Sequence, residues 1–377
     1  MLDERGVKLD ISVEEEPTKE SEVFYNTDMV LNRDVSVSAL QAYADNQSVD
    51  LKILDALSAT GVRGIRYAKQ VEGLEKVVLN DSKPEAVENI KNNLERNEVD
   101  RDLYTVEEKD ANLLMTENRK GFHFIDLDPF GSPTRFLDSA ARSLKHDSYL
   151  GVSATDLATL CGTYVKTCRR RYGTWNRNLP YCHEVGLRVL VRAVFEALAK
   201  YNKVFRPEIS FAKKHYYRVQ GKVKETKKGV NRSLKNVGFL VFCEECGYRR
   251  FIEEKERRPN CPSCSEETCR IGPLWTGRLG NKEKIEETRI VAEDKGYEDA
   301  EKLLGTLRDE CEIRRPYYDT HNFGKITGLP VPRLDELLEK IRDKGYTAVK
   351  THFAPTGIKT NCPAEDIREM VVDLNEN

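Results

Sequence analysis

Between residues 51 and 155 short apolar runs alternate with helical patterns, and the runs close on aspartates. LKILD (51–55) enters the turn ALSATG, and EKVVLND (75–81) precedes KPEAVENIKNNLERN (83–97), where Val87, Ile90 and Leu94 recur at helical spacing. LYTVEEKDA (103–111), FHFIDLDPFGSP (122–133) and YLGVSATD (149–156) supply three further strands. Strands alternating with helices pack as a parallel sheet covered on both faces. Ligands of such sheets sit at the carboxyl ends of the strands. Here those ends carry Asp55, Asp81, Asp110, Asp128 and Asp156. One such acid is an ordinary helix cap. Five in consecutive strands imply a polar ligand and a reacting amine or hydroxyl.

The chain has 377 residues, 39% hydrophobic and 33% charged, which suits a soluble globular protein of two or three domains. No apolar run approaches the ~18 residues of a membrane span, and MLDERGVKLD at the start lacks a signal-peptide core. The expectation is a cytoplasmic protein with no membrane association and no evident obligate protein partner. GLRVLVRAVFEALAKY (186–201) reads as an amphipathic helix. EISFAKKHYYRVQGKVK (208–224) and VGFLVFCEE (237–245) read as two strands joined by a basic loop over 225–236. After Thr276 the texture changes to charged helices such as RLDELLEKIRD (333–343). The expected units are 1–242, a cysteine-bearing segment 243–275, and a C-terminal domain 276–377.

Net charge is only −2, but the charge is uneven. From Lys213 to Lys235 there are nine Lys or Arg and one acid, Glu225, together with His215, Tyr216 and Tyr217. KTCRRR (166–171) is a second basic cluster, whereas the first 22 residues hold eight acids and three bases. Such patches suit a protein that docks a polyanion on one face. Both basic clusters are expected on the side of the 128–131 turn.

Ten cysteines in a cytoplasmic chain do not suggest a disulfide framework. CEEC (243–246) and CPSC (261–264) give C-x2-C-x14-C-x2-C, the spacing of a tetrahedral thiolate zinc site. Cys243, Cys246, Cys261 and Cys264 leave no open position, so the zinc is structural, with Tyr248 and Phe251 as its small core. Cys161, Cys168, Cys182, Cys269, Cys311 and Cys362 read as packing residues, and His352 as a satisfied loop histidine.

The turn LDALSATGVRG lacks the G-x-G-x-x-G of dinucleotide sites. Its small residues still let a ligand approach the backbone. The ordered set Asp55, Ser58, Ala59, Gly61 and Gly64, then Asp81, then Asp110, resembles the class I S-adenosylmethionine methyltransferases. That resemblance implies Asp81 on the ribose hydroxyls and Asp110, with Ala111, at the adenine edge. Asp55 and Gly61 belong to the same cofactor turn. Ser58 stands where the family often has glycine.

Asp128-Pro129-Phe130 resembles the fourth-strand motif of enzymes that methylate exocyclic base amines. Such an amine is conjugated with its ring and is a poor nucleophile. A carboxylate accepting its N–H directs the lone pair and can take the proton, and an adjacent aromatic ring stacks on the base. FYNTDMVLNRD (24–34), DALSATGVRGIRYA, FIDLDPFGSP, ATDLATLCG, the cysteine pairs and THFAPTGIKTN (351–361) occur in this order. Together they resemble the tRNA guanosine-26 N2-dimethyltransferase family over the whole chain. The resemblance implies an α/β fold: a Rossmann-like mixed sheet, an appended zinc ribbon and a smaller α+β C-terminal tRNA-binding domain. It places Arg33, Arg63, Asp81, Asp110 and Ala111 on S-adenosylmethionine, Asp128 on the amine, and Phe130 and Phe24 against the guanine. The residues alone leave two alternatives: an amino-methyltransferase of DNA or another RNA, and a non-catalytic zinc-ribbon RNA-binding protein.

Overall fold

A computed structural model describes residues 1–10 and 25–376; Phe24 lies outside them. The central sheet has seven strands in the order Tyr104–Glu108, Leu74–Asp81, Leu51–Asp55, Phe122–Leu127, Leu144–Ala154, Tyr216–Glu225, Lys203–Lys213. The first five are mutually parallel. Tyr216–Glu225 runs antiparallel to both of its neighbours. This is the expected Rossmann-like mixed sheet. Strand order reverses between Leu51–Asp55 and Phe122–Leu127, where open sheets of this type form their ligand crevice.

Local sequence explains the helices that flank the crevice. Pro84 opens helix Pro84–Arg96, and Val87, Ile90 and Leu94 form its buried stripe, as their spacing implies. Helix Val62–Gln70 lies close on the sheet because position 64 has no side chain. A Cβ there would stand 2.5 Å from Leu79 Cδ2.

Two expectations change in the second half. The segment 208–224 is not one strand: Lys203–Lys213 and Tyr216–Glu225 form a hairpin that turns at Lys214, with φ +47°, and His215. Lys-Lys-His carries no Gly, Pro, Asn or Asp, so no turn signal marks it. The basic stretch 225–236 is not a loop. It holds helix Lys227–Ser233, capped by Thr226, whose hydroxyl accepts from Gly229 N at 3.1 Å.

Strand Val237–Phe242 leaves the main sheet and centres a three-stranded antiparallel sheet with Arg249–Ile252 and Cys269–Trp275. Leu240, Phe242, Ile271, Leu274 and Trp275 from this small sheet join the core around helix Cys182–Ala199. Phe251 packs there too, rather than with the cysteines. Packing also divides the C-terminal third more finely than its composition. Helices Lys282–Asp294 and Glu298–Glu310 share a core with helix Val30–Ala44 of the first unit, through Ile285, Ala292, Leu304 and Leu307. A separate core begins at Tyr318 and runs through Leu337, Ile341, Ile358 and Ile367. Glu184, fully buried on helix Cys182–Ala199, joins that helix to the C-terminal core. Its carboxylate accepts from Lys359 Nζ at 2.7 Å, Arg188 Nη2 at 2.8 Å and Tyr317 N at 2.8 Å. Among the described residues no helix is long and apolar enough to cross a membrane.

Candidate active site

The turn after strand Leu51–Asp55 is pinned to the neighbouring strand by the backbone and hydroxyl of Ser58. Ser58 N donates to Asn80 O at 2.8 Å, and Asn80 N donates to Ser58 Oγ at 3.1 Å. Ala59 and Gly61 take positive φ, +49° and +78°. At Gly61 a Cβ would also stand 3.2 Å from Ile90 Cγ1, so this turn requires glycine twice over. Asp81, half-buried, faces the turn and accepts from Ala59 N at 3.0 Å and Lys83 N at 3.1 Å. A carboxylate has about four acceptor positions, so Asp81 keeps capacity for a diol. Asp110, exposed, is the N-cap of helix Ala111–Glu117 and accepts from Asn112 N at 2.9 Å and Leu113 N at 3.2 Å through Oδ1. Ala111 behind it is buried.

Asp55 is buried beneath the turn and accepts from Gly64 N at 3.1 Å. Burial pushes its carboxyl up to about 7; Arg63 opposes this, and Asp126 and Asp128 add to it. The guanidinium of Arg63 is the hub of these acids. Its Nη1 donates to Asn32 Oδ1 at 3.1 Å and Ser36 Oγ at 3.2 Å and lies 3.5 Å from Asp126, while Nη2 donates to Asp128. Asp126 also accepts from Arg218 at 2.8 and 2.6 Å and from the Tyr67 hydroxyl at 2.6 Å. Burial alone would raise the Asp126 carboxyl, but Arg218 and Arg63 outweigh it and hold the group below its usual range. Asp128, unlike Asp126, is reached by solvent, with 18% of its side chain exposed. The turn that follows is fixed from the next strand: Gly131 N donates to Thr155 Oγ1 at 2.7 Å, and Thr155 N donates to Gly131 O at 3.0 Å. Phe130, 39% exposed, stands on this turn.

A model of the family "N2,N2-dimethylguanosine tRNA methyltransferase" matches residues 8–372. The chain belongs to this family. It is 37% identical over 367 residues to a tRNA (guanine(26)-N(2))-dimethyltransferase of Methanobrevibacter smithii, covering 96% of this chain and 94% of that one. It is 39% identical over 372 residues to the Pyrococcus furiosus enzyme of the same name, covering 93% of each. The structure of Trm1 from Pyrococcus horikoshii in complex with S-adenosyl-L-methionine superposes with a TM-score of 0.84 at 36% identity, over 94% of this chain and 96% of that one.

Within this dimethyltransferase, Arg33 lies buried on helix Val30–Ala44. Its Nε and Nη2 donate to Glu4 at 2.7 and 2.6 Å, and Nη2 also to Asn26 O at 3.0 Å. Burial would raise Glu4, but Arg33, Tyr25 and Arg66 bring it down to about 2. The first ten residues, part of the acid-rich N-terminal stretch, thus supply a buried ion pair. Asp126, Tyr67 and Arg218 escaped the sequence reading as site residues. The doubled acid of DLDP was the available signal for Asp126, while its partner Arg218 looked like one of nine surface cations.

The two basic clusters do not share one side. Tyr217 stands opposite Ala154 and Val223 opposite Ser148. Lys214 and His215 are therefore at the catalytic edge, where Lys214 pairs with Asp28 and His215 meets Asn26 at 3.0 Å. Glu225 lies at the opposite edge, paired to Lys120 at 3.1 Å, and Lys227 and Lys228 follow it. At ~3.3 Å per residue the strand puts roughly 30 Å between its ends. The expectation that 213–235 lies wholly beside the active-site turn is thus corrected. Helix Val165–Tyr172 is the cluster tied to that turn: next to Thr155, Asp156 accepts from Tyr172 OH at 2.7 Å and Arg171 at 3.1 Å. Lys166, Arg169 and Arg170 are exposed on this helix, with Tyr164 and Trp175 at its two ends 60% and 54% exposed.

Cys243, Cys246, Cys261 and Cys264 converge, with Sγ separations of 3.5 Å for Cys243 to Cys264 and 3.3 Å for Cys246 to Cys261. Gly247 and Ser265, each just after a cysteine pair, take φ +78° and +65° and turn the chain back. Tyr248 packs on the four. His352 is satisfied: its Nε2 accepts from Ala212 N at 3.1 Å and its Nδ1 faces Glu310.

Proposed function

We propose that Asp128 engages the reacting amine of a tRNA (guanine(26)-N(2))-dimethyltransferase that moves two methyl groups from S-adenosylmethionine to guanosine 26. The observation that carries this is the solvent-reached Asp128 carboxylate, fixed by Arg63 from the helix that follows the turn held by Asp81. S-adenosylmethionine supplies an electrophilic methyl on a sulfonium. Asp81 binds its ribose hydroxyls, and Asp110 with Ala111 the adenine edge. Gly61 lets the ligand approach the turn, and Asp55 supports that turn from below. Arg33 and Arg63 border the site, and Arg63 acts through Asp128. Phe130 stacks on the guanine, with Phe24 as its partner across the base.

The N2 amine carries two N–H bonds, and each transfer replaces one of them. Asp128 accepts an N–H and turns the nitrogen lone pair toward the sulfonium; as the C–N bond forms the S–CH3 bond breaks, its electron pair staying on the sulfur of the departing neutral thioether, S-adenosylhomocysteine, and the nitrogen proton passes to the carboxylate and then to water. The monomethylated amine keeps one N–H, so the same acceptor serves the second transfer.

The four thiolates hold one structural zinc. Sulfurs around a tetrahedral zinc at ~2.3 Å stand about 3.7 Å apart, close to the spacing of this cluster and far above a disulfide's ~2.05 Å. Residues 243–275 are the zinc-ribbon segment of a 1–242 methyltransferase domain, and 276–377 assist in tRNA binding, with Lys325 and Lys344 exposed there.

Incubation with labelled S-adenosylmethionine and total tRNA, followed by nuclease mapping, tests the assignment. Label in N2,N2-dimethylguanosine at position 26 is expected. Label on another base, or on DNA alone, would overturn it.

A further inference from the structure

Cys161 and Cys182, twenty-one residues apart, meet beside the catalytic edge in the company of His183. The two Sγ atoms and a ring nitrogen of His183 lie within 4.8 Å of one another. Cys161 Sγ is 3.6 Å from His183 Nδ1, and the Tyr217 hydroxyl sits 3.1 Å from that sulfur and 3.2 Å from that nitrogen. A cysteine that merely packs behaves as a small apolar residue, with no need to aim its sulfur at ring heteroatoms. Here four polar atoms from three chain segments point at one another.

We infer that Cys161, Cys182 and His183, closed by the Tyr217 hydroxyl, form a second metal site, for a thiophilic divalent ion of the zinc class. Two sulfurs, one imidazole nitrogen and one oxygen suit a tetrahedral d¹⁰ ion. With Zn–S about 2.3 Å and Zn–N about 2.0 Å, neighbouring ligand atoms stand roughly 3.3–3.8 Å apart. The sulfur–nitrogen, sulfur–oxygen and nitrogen–oxygen separations of 3.6, 3.1 and 3.2 Å among Cys161, His183 and Tyr217 need to change by only a few tenths of an ångström, and Cys182 Sγ lies within 4.8 Å of the Cys161 sulfur and the His183 nitrogen. Cys161 and Tyr217 are buried, whereas Cys182 and His183 are partly exposed, which leaves an ion a way in.

The site would staple the loop that follows strand Leu144–Ala154 to helix Cys182–Ala199 and to strand Tyr216–Glu225. The three already press together at Gly186, where a Cβ would stand 2.9 Å from both Leu160 O and the Tyr217 ring. The stapled loop carries Asp156, the anchor of the basic helix. The ion therefore has no part in methyl transfer; it fixes the frame on which tRNA is held. This centre shares no residue with the four-cysteine cluster.

The full-length protein is stripped of metal under reducing conditions, reloaded with zinc, desalted and analysed, and a parallel sample is titrated with cobalt(II). Two ions per chain are expected in the wild type and one in the Cys161→Ser/Cys182→Ser protein. The wild-type-minus-variant cobalt spectrum should be that of a mixed sulfur–nitrogen–oxygen tetrahedral site. Tyr217→Phe, which keeps the ring, should weaken the second ion about 10-fold or more. His183→Gln should do so as well, and it serves should the double variant not fold. One ion in the wild type, a second ion that survives the cysteine or histidine variants, or a Cys161–Cys182 disulfide in the protein as purified would each overturn the inference.

Discussion

Arg218 grips Asp126 through hydrogen bonds of 2.8 and 2.6 Å across an intervening strand, and both side chains are fully buried. The strand between them is Leu144–Ala154, and the residue beneath the bridge is Gly151, which pairs with Asp126 on one side and Gln220 on the other. A Cβ at Gly151 would stand 2.4 Å from Arg218 Nη2. The glycine is there for the guanidinium, not for its own backbone angles.

Gly151→Ala should therefore push Arg218 off Asp126 and leave a buried acid with less compensation. Breaking a buried pair commonly costs about 3–5 kcal/mol. Urea unfolding of the variant should show a loss of that order. A midpoint equal to the wild type's would mean that the bridge moves aside freely.

Asp55 makes stability fall with rising pH. Its carboxyl titrates at about 7 in the folded protein but near ~4 in an unfolded chain. Between these values the folded state holds a proton that the unfolded state has lost, so stability falls as pH rises through this window and levels off above the folded value. Asp55→Asn keeps an acceptor for Gly64 N and removes the titration. Its stability relative to the wild type should be greater at about pH 8 than at about pH 5 by ~1 kcal/mol or more. The same difference at both pH values in urea titrations would contradict this.

How far the sequence was legible follows from range. The acid-bearing strand ends and the two cysteine pairs were visible because each is a local pattern whose geometry follows from spacing. The Arg218–Asp126 bridge was not, because it depends on which strand lies two places away. The basic stretch misled for a related reason. Residues adjacent in sequence on an extended strand lie far apart in space, so nine cations in one run are divided between both edges of the sheet and the interior. The hairpin at Lys214–His215 was hidden for want of any turn residue. The Cys161–Cys182–His183 cluster has no spacing signature at all.

Asp81→Ala should weaken S-adenosylmethionine binding, since it removes the acceptor for two hydroxyls and frees Ala59 N. Hydrogen bonds to a charged group are worth about 1.5–3 kcal/mol each, so calorimetry should report roughly 10-fold or greater loss. Unchanged affinity would move the ribose site elsewhere.

The basic helix beside the turn should dominate the salt dependence of tRNA binding. Each phosphate contact adds roughly 0.7–0.9 to the slope of log affinity against log salt. Lys166→Ala/Arg170→Ala should flatten the slope by about 1.5, while Lys227→Ala/Lys228→Ala, at the far edge, should leave it nearly intact. Filter binding at several salt concentrations checks both. The reverse ranking would place tRNA on the opposite edge of the sheet.

The most direct measurement is single-turnover methyl transfer to tRNA by Asp128→Asn, with tRNA and S-adenosylmethionine both saturating and cofactor affinity measured alongside. An acceptor that orients the amine and takes its proton contributes ~10²-fold or more. The variant should bind S-adenosylmethionine as the wild type does and transfer methyl about 100-fold more slowly. Transfer at the wild-type rate would remove Asp128 from the reaction and contradict the account.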